Sequence, residues 1–204
     1  IWPVNDSDSW SSVVSPIDAR LTAHGARGKH LVSLEAASGL DAGQVGPKAR
    51  NLGRMRRAGL PVPDGYVIVA DAWRQFAAAE PLRGALEVLE STQAETDAAR
   101  VRSLCGTAEL PLGLAQDVES ALACLHGESV AVRSAALAED GEFQSAAGVF
   151  HTALSVVGSA AVLDQVRACW ASQFSQAALS YQKERTGESW AMAVVVQVMV
   201  PAKV

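Results

Sequence analysis

The sequence predicts a mixed α/β chain, α+β in its details, with helices flanking a mixed sheet. Three observations lead there. Residues 191–200 form the most β-rich stretch of the chain, around the apolar run Ala191–Val196. Residues 84–126 have mostly helical character, broken near Gly106–Pro111. Strands and helices alternate without a strict βαβ rhythm.

Taken in order, residues 1–16 are rich in Ser and Asp and lack the charged start and apolar core of a signal peptide. Residues 1–29 are therefore expected to form a poorly ordered arm, with Trp2 and Trp10 free to pack on a neighbouring chain, and residues 30–204 to form the domain. Residues 30–34 (HLVSL) suit a short strand. A loop holding Gly39, Gly43 and Gly46 follows, then a helix over Ala49–Ala58 with Leu52 and Met55 on one face. Gly59 ends it, and Pro61 and Pro63 forbid its continuation. Gly65–Ala70 reads as a strand, and Asp71 as the cap of a helix reaching about Ala79. After the helical region, whose last helix is Leu114–Leu125 with Gly127 as its stop, Ser129–Arg133 is a short strand. Residues 134–148 form a loop of small residues, and Val149–Val157 has strand character. Ala160–Phe174 and Gln176–Arg185 are helices stopped by Gly187. Because the chain starts at Ile1 and stops directly after a core strand, it is expected to be a fragment of a longer protein.

Composition narrows the function. The 204 residues carry a net charge of −5, with 49% hydrophobic and 19% charged residues. An acidic globular chain is a poor match for general nucleic-acid or anionic-membrane binding. No apolar run approaches the roughly 18 residues of a membrane span. Cys105, Cys124 and Cys169 are far apart and odd in number, which argues against a disulfide scaffold and for a reducing cytoplasm. His24, His30, His126 and His151 show no metal-ligand spacing. The arginines Arg50, Arg54, Arg56 and Arg57 read as a solvated helix face, and Trp170, Phe174 and Cys169 as core.

Two segments carry chemistry. In Gln44–Gly53 a glycine-bearing loop delivers Lys48 to the first turn of a helix, where unpaired N–H groups and a lysine suit a phosphate. An ordinary loop–helix junction with a solvated lysine has the same pattern. In the second segment a strand ending at Arg133 aims a guanidinium from a fixed position, which suits bidentate phosphate binding. The small-residue loop after it brings Gly148 and the Thr152 hydroxyl close to a ligand. A structural ion pair of Arg133 with Glu139 or Asp140 is the equal alternative.

The stretch GPKARNLGRMRRAGLPVPDGYVIVADAWRQF resembles the opening of the ATP-binding domain of the dikinase family. That family includes phosphoenolpyruvate synthase, pyruvate phosphate dikinase and rifampicin phosphotransferase, and its usual pattern reads GGKGxNLGxMxxAGLPVPxGFVV. AVRSAALAED followed by SAAGVFHT resembles its VRSSATAED…SFAGQQDT, with the same spacing from Arg133 to Ser145. CWASQFSQAALSYQKE and AMAVVVQVMVPAKV resemble two further blocks in the right order, so the likeness covers residues 44–204.

The resemblance implies the first part of an ATP-grasp-like domain that binds ATP between two subdomains. It implies that Lys48 and Arg133 contact phosphates and serve as the catalytic cations. Gly148 and Thr152 would belong to the closing loop, and Gln197, Met199 and Val200 to the hinge beside adenine. It further implies Mg²⁺ with ligands beyond Val204. The β-phosphoryl of ATP would pass to a histidine on a separate swivelling domain and then to an acceptor, for which pyruvate is expected. A rifamycin-type small molecule is the alternative acceptor. The substitutions Pro47, Ala49, Ala135, Ala146 and His151 depart from the family pattern. They also motivate a different class of reading, a degenerate, non-catalytic nucleotide- or protein-binding module. His151 is expected to pack or hydrogen-bond locally and not to be the phosphorylated histidine.

Overall fold

The computed structural model describes residues 30–125, 129–137, 148–183 and 190–200. The expected arm 1–29, Glu139, Asp140, Ser145, Ala146, the stops Gly127 and Gly187, and His24 and His126 lie outside them. The described chain runs β1 (Leu31–Ser33), α1 (Leu34–Ala37), α2 (Ala42–Arg57), β2 (Gly65–Ile68) and α3 (Ala70–Ala77). It continues through α4 (Leu82–Thr92), α5 (Glu95–Thr107), α6 (Leu114–Cys124), β3 (Val130–Ala136) and β4 (Thr152–Val156), and closes with α7 (Ser159–Ser172), α8 (Gln176–Lys183) and β5 (Met192–Val198).

The strands make one sheet in the order β1-β2-β5-β3-β4. The α/β class stands, but the expected mixed sheet is antiparallel in all four of these pairings. The reason is an insertion. β2 and β3 run parallel to each other, yet the last strand, β5, lies between them and opposes both. Its residues from Met192 to Gln197 are buried, so it reads as a continuous apolar run and not as an alternation.

Helices cover the two faces of the sheet unequally. The larger core joins Tyr66, Ile68, Val132, Val194 and Val196 to apolar residues of α3–α7. At its centre the Trp73 ring lies 5.8 Å from both Trp170 and Phe174, and Phe76 lies 4.9 Å from Trp170. Trp170 Nε1 donates to Met192 O at 3.2 Å, so an indole hydrogen bond also ties α7 to β5. The smaller core sets Leu34, Ala37, Val45 and Ala49 of α1 and α2 against Val67, Ala135, Ala193 and Val195. Gly53 makes that second layer possible, since a Cβ there would sit 2.2 Å from Leu34 O.

Several boundaries differ from expectation. The helix expected over Ala49–Ala58 is α2, which starts seven residues early, at Ala42. Asp41 caps it reciprocally with Gln44, which leaves Gly43 and Gly46 inside the helical stretch and not in a loop. Asp71 is not the cap of α3. It lies in the first turn and pairs with Arg74 at 2.5 Å, while Val69 holds the cap position. The long helical region breaks once more, at Gln93, which takes a left-handed φ of 52°. β3 continues to Ala136, so Arg133 stands in mid-strand. Small side chains at Ser134, Ala135 and Ala136 permit this, because α2 and β5 approach them closely. Arg56 is not solvated as the rest of its cluster was expected to be. It pairs with Glu35, and with Asp64 at 3.2 Å.

Candidate functional site

Strand alternation decides which side chains share a face. On β3, Val130, Val132 and Ala136 point into the larger core, and Ser134 lies on that same face. Arg133 therefore points to the other face, with Ala135. Thr152 is directly opposite Arg133 on β4, and Gln197 directly opposite Ala131 on β5, so both share the face of Arg133. α2 covers the Ala135 and Val195 end of this face. Along the rest of this face Ala131 and Gln197 are buried, Arg133 is half-buried and Thr152 is exposed.

Lys48 reaches the same place from the helix side. At Gly46, φ 78° and ψ 152° break α2, and the helix restarts at Pro47. Proline costs nothing at a first helical position, where its missing N–H would have no partner. Gly46 is required twice over. Its φ is left-handed, and a Cβ would lie 2.9 Å from Ala135 O. The contact presses the restart point onto β3, and Lys48 Nζ donates to Ser134 O at 2.9 Å. The lysine is thereby held at the peptide directly after Arg133. Among the described residues no carboxylate lies within ion-pair distance of Arg133, and Glu139 and Asp140, the partners of the alternative reading, are outside them.

The closing-loop residues are placed in part. Gly148 has a left-handed φ of 79° and open space around it. Thr152 is exposed on edge strand β4. The hinge residues are more constrained. Gln197 is buried and its Nε2 donates to Pro63 O at 3.0 Å. Met199 N donates to Ser129 O at 2.9 Å, and Val198 N to Asp64 O at 2.8 Å. The Met199 N–H is thus already used, while Val200 is exposed beyond it. His151 makes a local hydrogen bond, Nε2 donating to Gln165 Oε1 at 2.8 Å. Among the described residues there is no group of three His, Cys, Asp or Glu that could hold a metal ion.

The cysteines near the site are not reactive centres. Cys169 lies close to Ser134 and Lys48, but burial pushes its thiol up to about 12, against the smaller lowering effects of the Ser134 hydrogen bond and the Lys48 charge. Burial pushes Cys105 to about 12 as well. Sequence reasoning missed Ser134 and Gln165, whose roles arise only from contacts across the fold. It also missed the Asp41–Gln44 box, whose D-x-x-Q pattern was visible.

The sequence model of the pyruvate phosphate dikinase, AMP/ATP-binding domain family matches residues 42–204. The chain is 38% identical over 175 residues to the prodigiosin synthesizing transferase PigC of Serratia marcescens, covering 84% of this chain and 19% of that protein. It is 37% identical over 185 residues to a rifampicin phosphotransferase of Streptomyces sp, with 85% and 21% covered. It is 32% identical over 194 residues to a probable phosphoenolpyruvate synthase of Methanothermobacter thermautotrophicus, with 86% and 28% covered. The matched part is thus under a third of each relative's length. No helix among the described residues is long and apolar enough to cross a membrane.

Proposed function

The chain belongs to the pyruvate phosphate dikinase AMP/ATP-binding domain family, and from that premise we propose that it binds ATP on the sheet face that carries Arg133 and Thr152, with Lys48 and Arg133 on the phosphates. The observation that carries this is the Lys48–Ser134 hydrogen bond. It brings the ammonium beside the strand position of a guanidinium that has no carboxylate partner among the described residues. Two cations beside a helix restart complement a polyanion. They act most strongly where charge moves onto phosphate oxygens during transfer. The Gly148–Thr152 loop adds backbone N–H groups and a hydroxyl. Gln197, Met199 and Val200 form the adenine end.

Residues 30–204 are, in this reading, the first part of an ATP-grasp-like domain. The β-phosphoryl passes to a histidine on a swivelling domain of the parent protein, and from there to pyruvate. Nucleophilic transfer through histidine divides one difficult displacement into two easier ones. The phosphoenolpyruvate synthase relatives support pyruvate as the acceptor. Magnesium is proposed only as the ion that arrives on the nucleotide. A cytoplasmic location belongs to the same reading and rests on the buried thiols Cys105 and Cys169.

The test is mass spectrometry of the parent protein with ATP and either pyruvate or a rifamycin. Phosphohistidine and AMP should form, with phosphoenolpyruvate produced in the pyruvate arm. Lys48→Ala and Arg133→Ala should each abolish histidine phosphorylation. Undiminished turnover in either variant removes that residue from the site. A phosphorylated rifamycin with no phosphoenolpyruvate replaces the acceptor. Nucleotide binding without any ATP consumption favours the non-catalytic module.

A further inference from the structure

One carbonyl oxygen, that of His151, receives three donors. Ser134 N lies at 3.1 Å, Ser134 Oγ at 2.9 Å and Cys169 Sγ at 3.8 Å. The ring of the same residue is held separately by Gln165 on α7. Gln165 and Cys169 are four residues apart and share a helix face, so α7 grips both ends of His151. Ser134 in turn divides its backbone between the two sides of the nucleotide site. Its carbonyl takes the Lys48 ammonium, and its N–H takes the residue just before Thr152.

The strand ladder alone would hold this segment poorly. β4 is an edge strand. Its register with β3 shifts between Val130 and Val132, and Ser155 has a left-handed φ of 56°. Edge position and a bulge both weaken register. Gly148, at the near end of the segment, has a left-handed φ of 79°, and a Cβ there would meet open space.

We propose that His151 is a positioning residue for the Gly148–Thr152 segment, fastened by Gln165 through its ring and by Ser134 through its carbonyl, so that the loop and Lys48 are set from one point. The proposal rests on the nucleotide reading above and gives it a device. The family pattern that the sequence resembles has Asp at this position, and in this chain a His ring reaches Gln165 instead.

The test uses Gln165→Leu, which removes the acceptor at similar size, and Gln165→Glu, which keeps one. Hydrogen exchange of the 204-residue chain is read by mass spectrometry without nucleotide. Gln165→Leu should speed exchange across residues 149–153 about tenfold, leaving the amides of β5 protected, and Gln165→Glu should restore protection. In the parent protein Gln165→Leu should lower kcat for histidine phosphorylation by about tenfold, with KM for ATP changed less than threefold. Unchanged loop exchange in Gln165→Leu, or an increase spread equally over β5, overturns the anchoring. Changed loop exchange with an unaltered kcat overturns its catalytic consequence. Failure of the wild-type parent to bind ATP sinks the nucleotide reading, and the exchange pattern still judges the anchor.

Discussion

Lys48 Nζ and the carbonyl oxygen of Ser134 are 2.9 Å apart across 86 positions of sequence. That bond joins α2 to β3 at the residue directly after Arg133. It depends on the backbone two residues earlier, where Gly46 lets α2 restart against Ala135.

Gly46→Ala should therefore do more harm than a strained glycine usually does. A left-handed alanine costs about 1 kcal/mol or more, and here the Cβ also meets Ala135 O at 2.9 Å. Gly59→Ala is the control, because Gly59 has a similar φ of 75° with nothing nearby. Urea midpoints should fall more for Gly46→Ala. Equal losses would mean that the contact with β3 contributes nothing.

Tyr66→Phe should stabilise the chain by about 1 kcal/mol. The Tyr66 hydroxyl is buried and has no hydrogen-bond partner among the described residues, and burial pushes its ionisation well above the usual phenol range. The ring itself fills the larger core and is kept by the substitution. A lower urea midpoint in the variant would contradict this.

Asp117→Ala should cost about 3 kcal/mol. His30 Nδ1 donates to Asp117 Oδ2 at 2.9 Å inside the protein, and the other ring nitrogen faces Gln75 Oε1 at 3.3 Å. This contact ties the start of β1 to α6 and α3. Removing the carboxylate leaves the imidazole without its buried partner. A double-mutant cycle with His30→Ala measures the coupling, and additive losses would show that the pair does not act as a unit.

Stability should fall in alkali through Cys105 and Cys169. Both thiols move from an ordinary value of 9.0 up to about 12 on burial. A raised value means that the unfolded chain gives up its proton first. The contribution is thus complete below pH 9 and is lost as the pH climbs from 9 toward 12. By pH 11 the loss should be about 3 kcal/mol per thiol. Chemical denaturation from pH 7 to 11 measures it, and Cys105→Ala should flatten the slope. An unchanged slope in that variant would remove Cys105 as a contributor.

Most elements were legible because they announce themselves within a short window, whereas the one-turn helix α1 (Leu34–Ala37) was read as strand end and loop. The Val194–Val196 run, the Gly59 stop and the aromatic core positions Trp170 and Phe174 all proved to be what their local patterns indicated. Lys48 and Arg133 were legible as chemistry because cations beside a helix start and on a strand carry their own electrostatic meaning. Arg133 nevertheless stands in mid-strand, since the small residues after it were read as loop. In this fold their small size serves close packing under α2.

What the sequence determined by itself was therefore local: which segments are helical or extended, where they stop, and which side chains bear charge. Only the tertiary structure decided that β5 separates β2 from β3, that Arg133, Thr152 and Gln197 share one face, and that Ser134 links Lys48 to His151. Periodicity and turn chemistry act over a few residues. Strand order and register depend on burying two layers at once, and no short window of sequence contains both partners of such a contact.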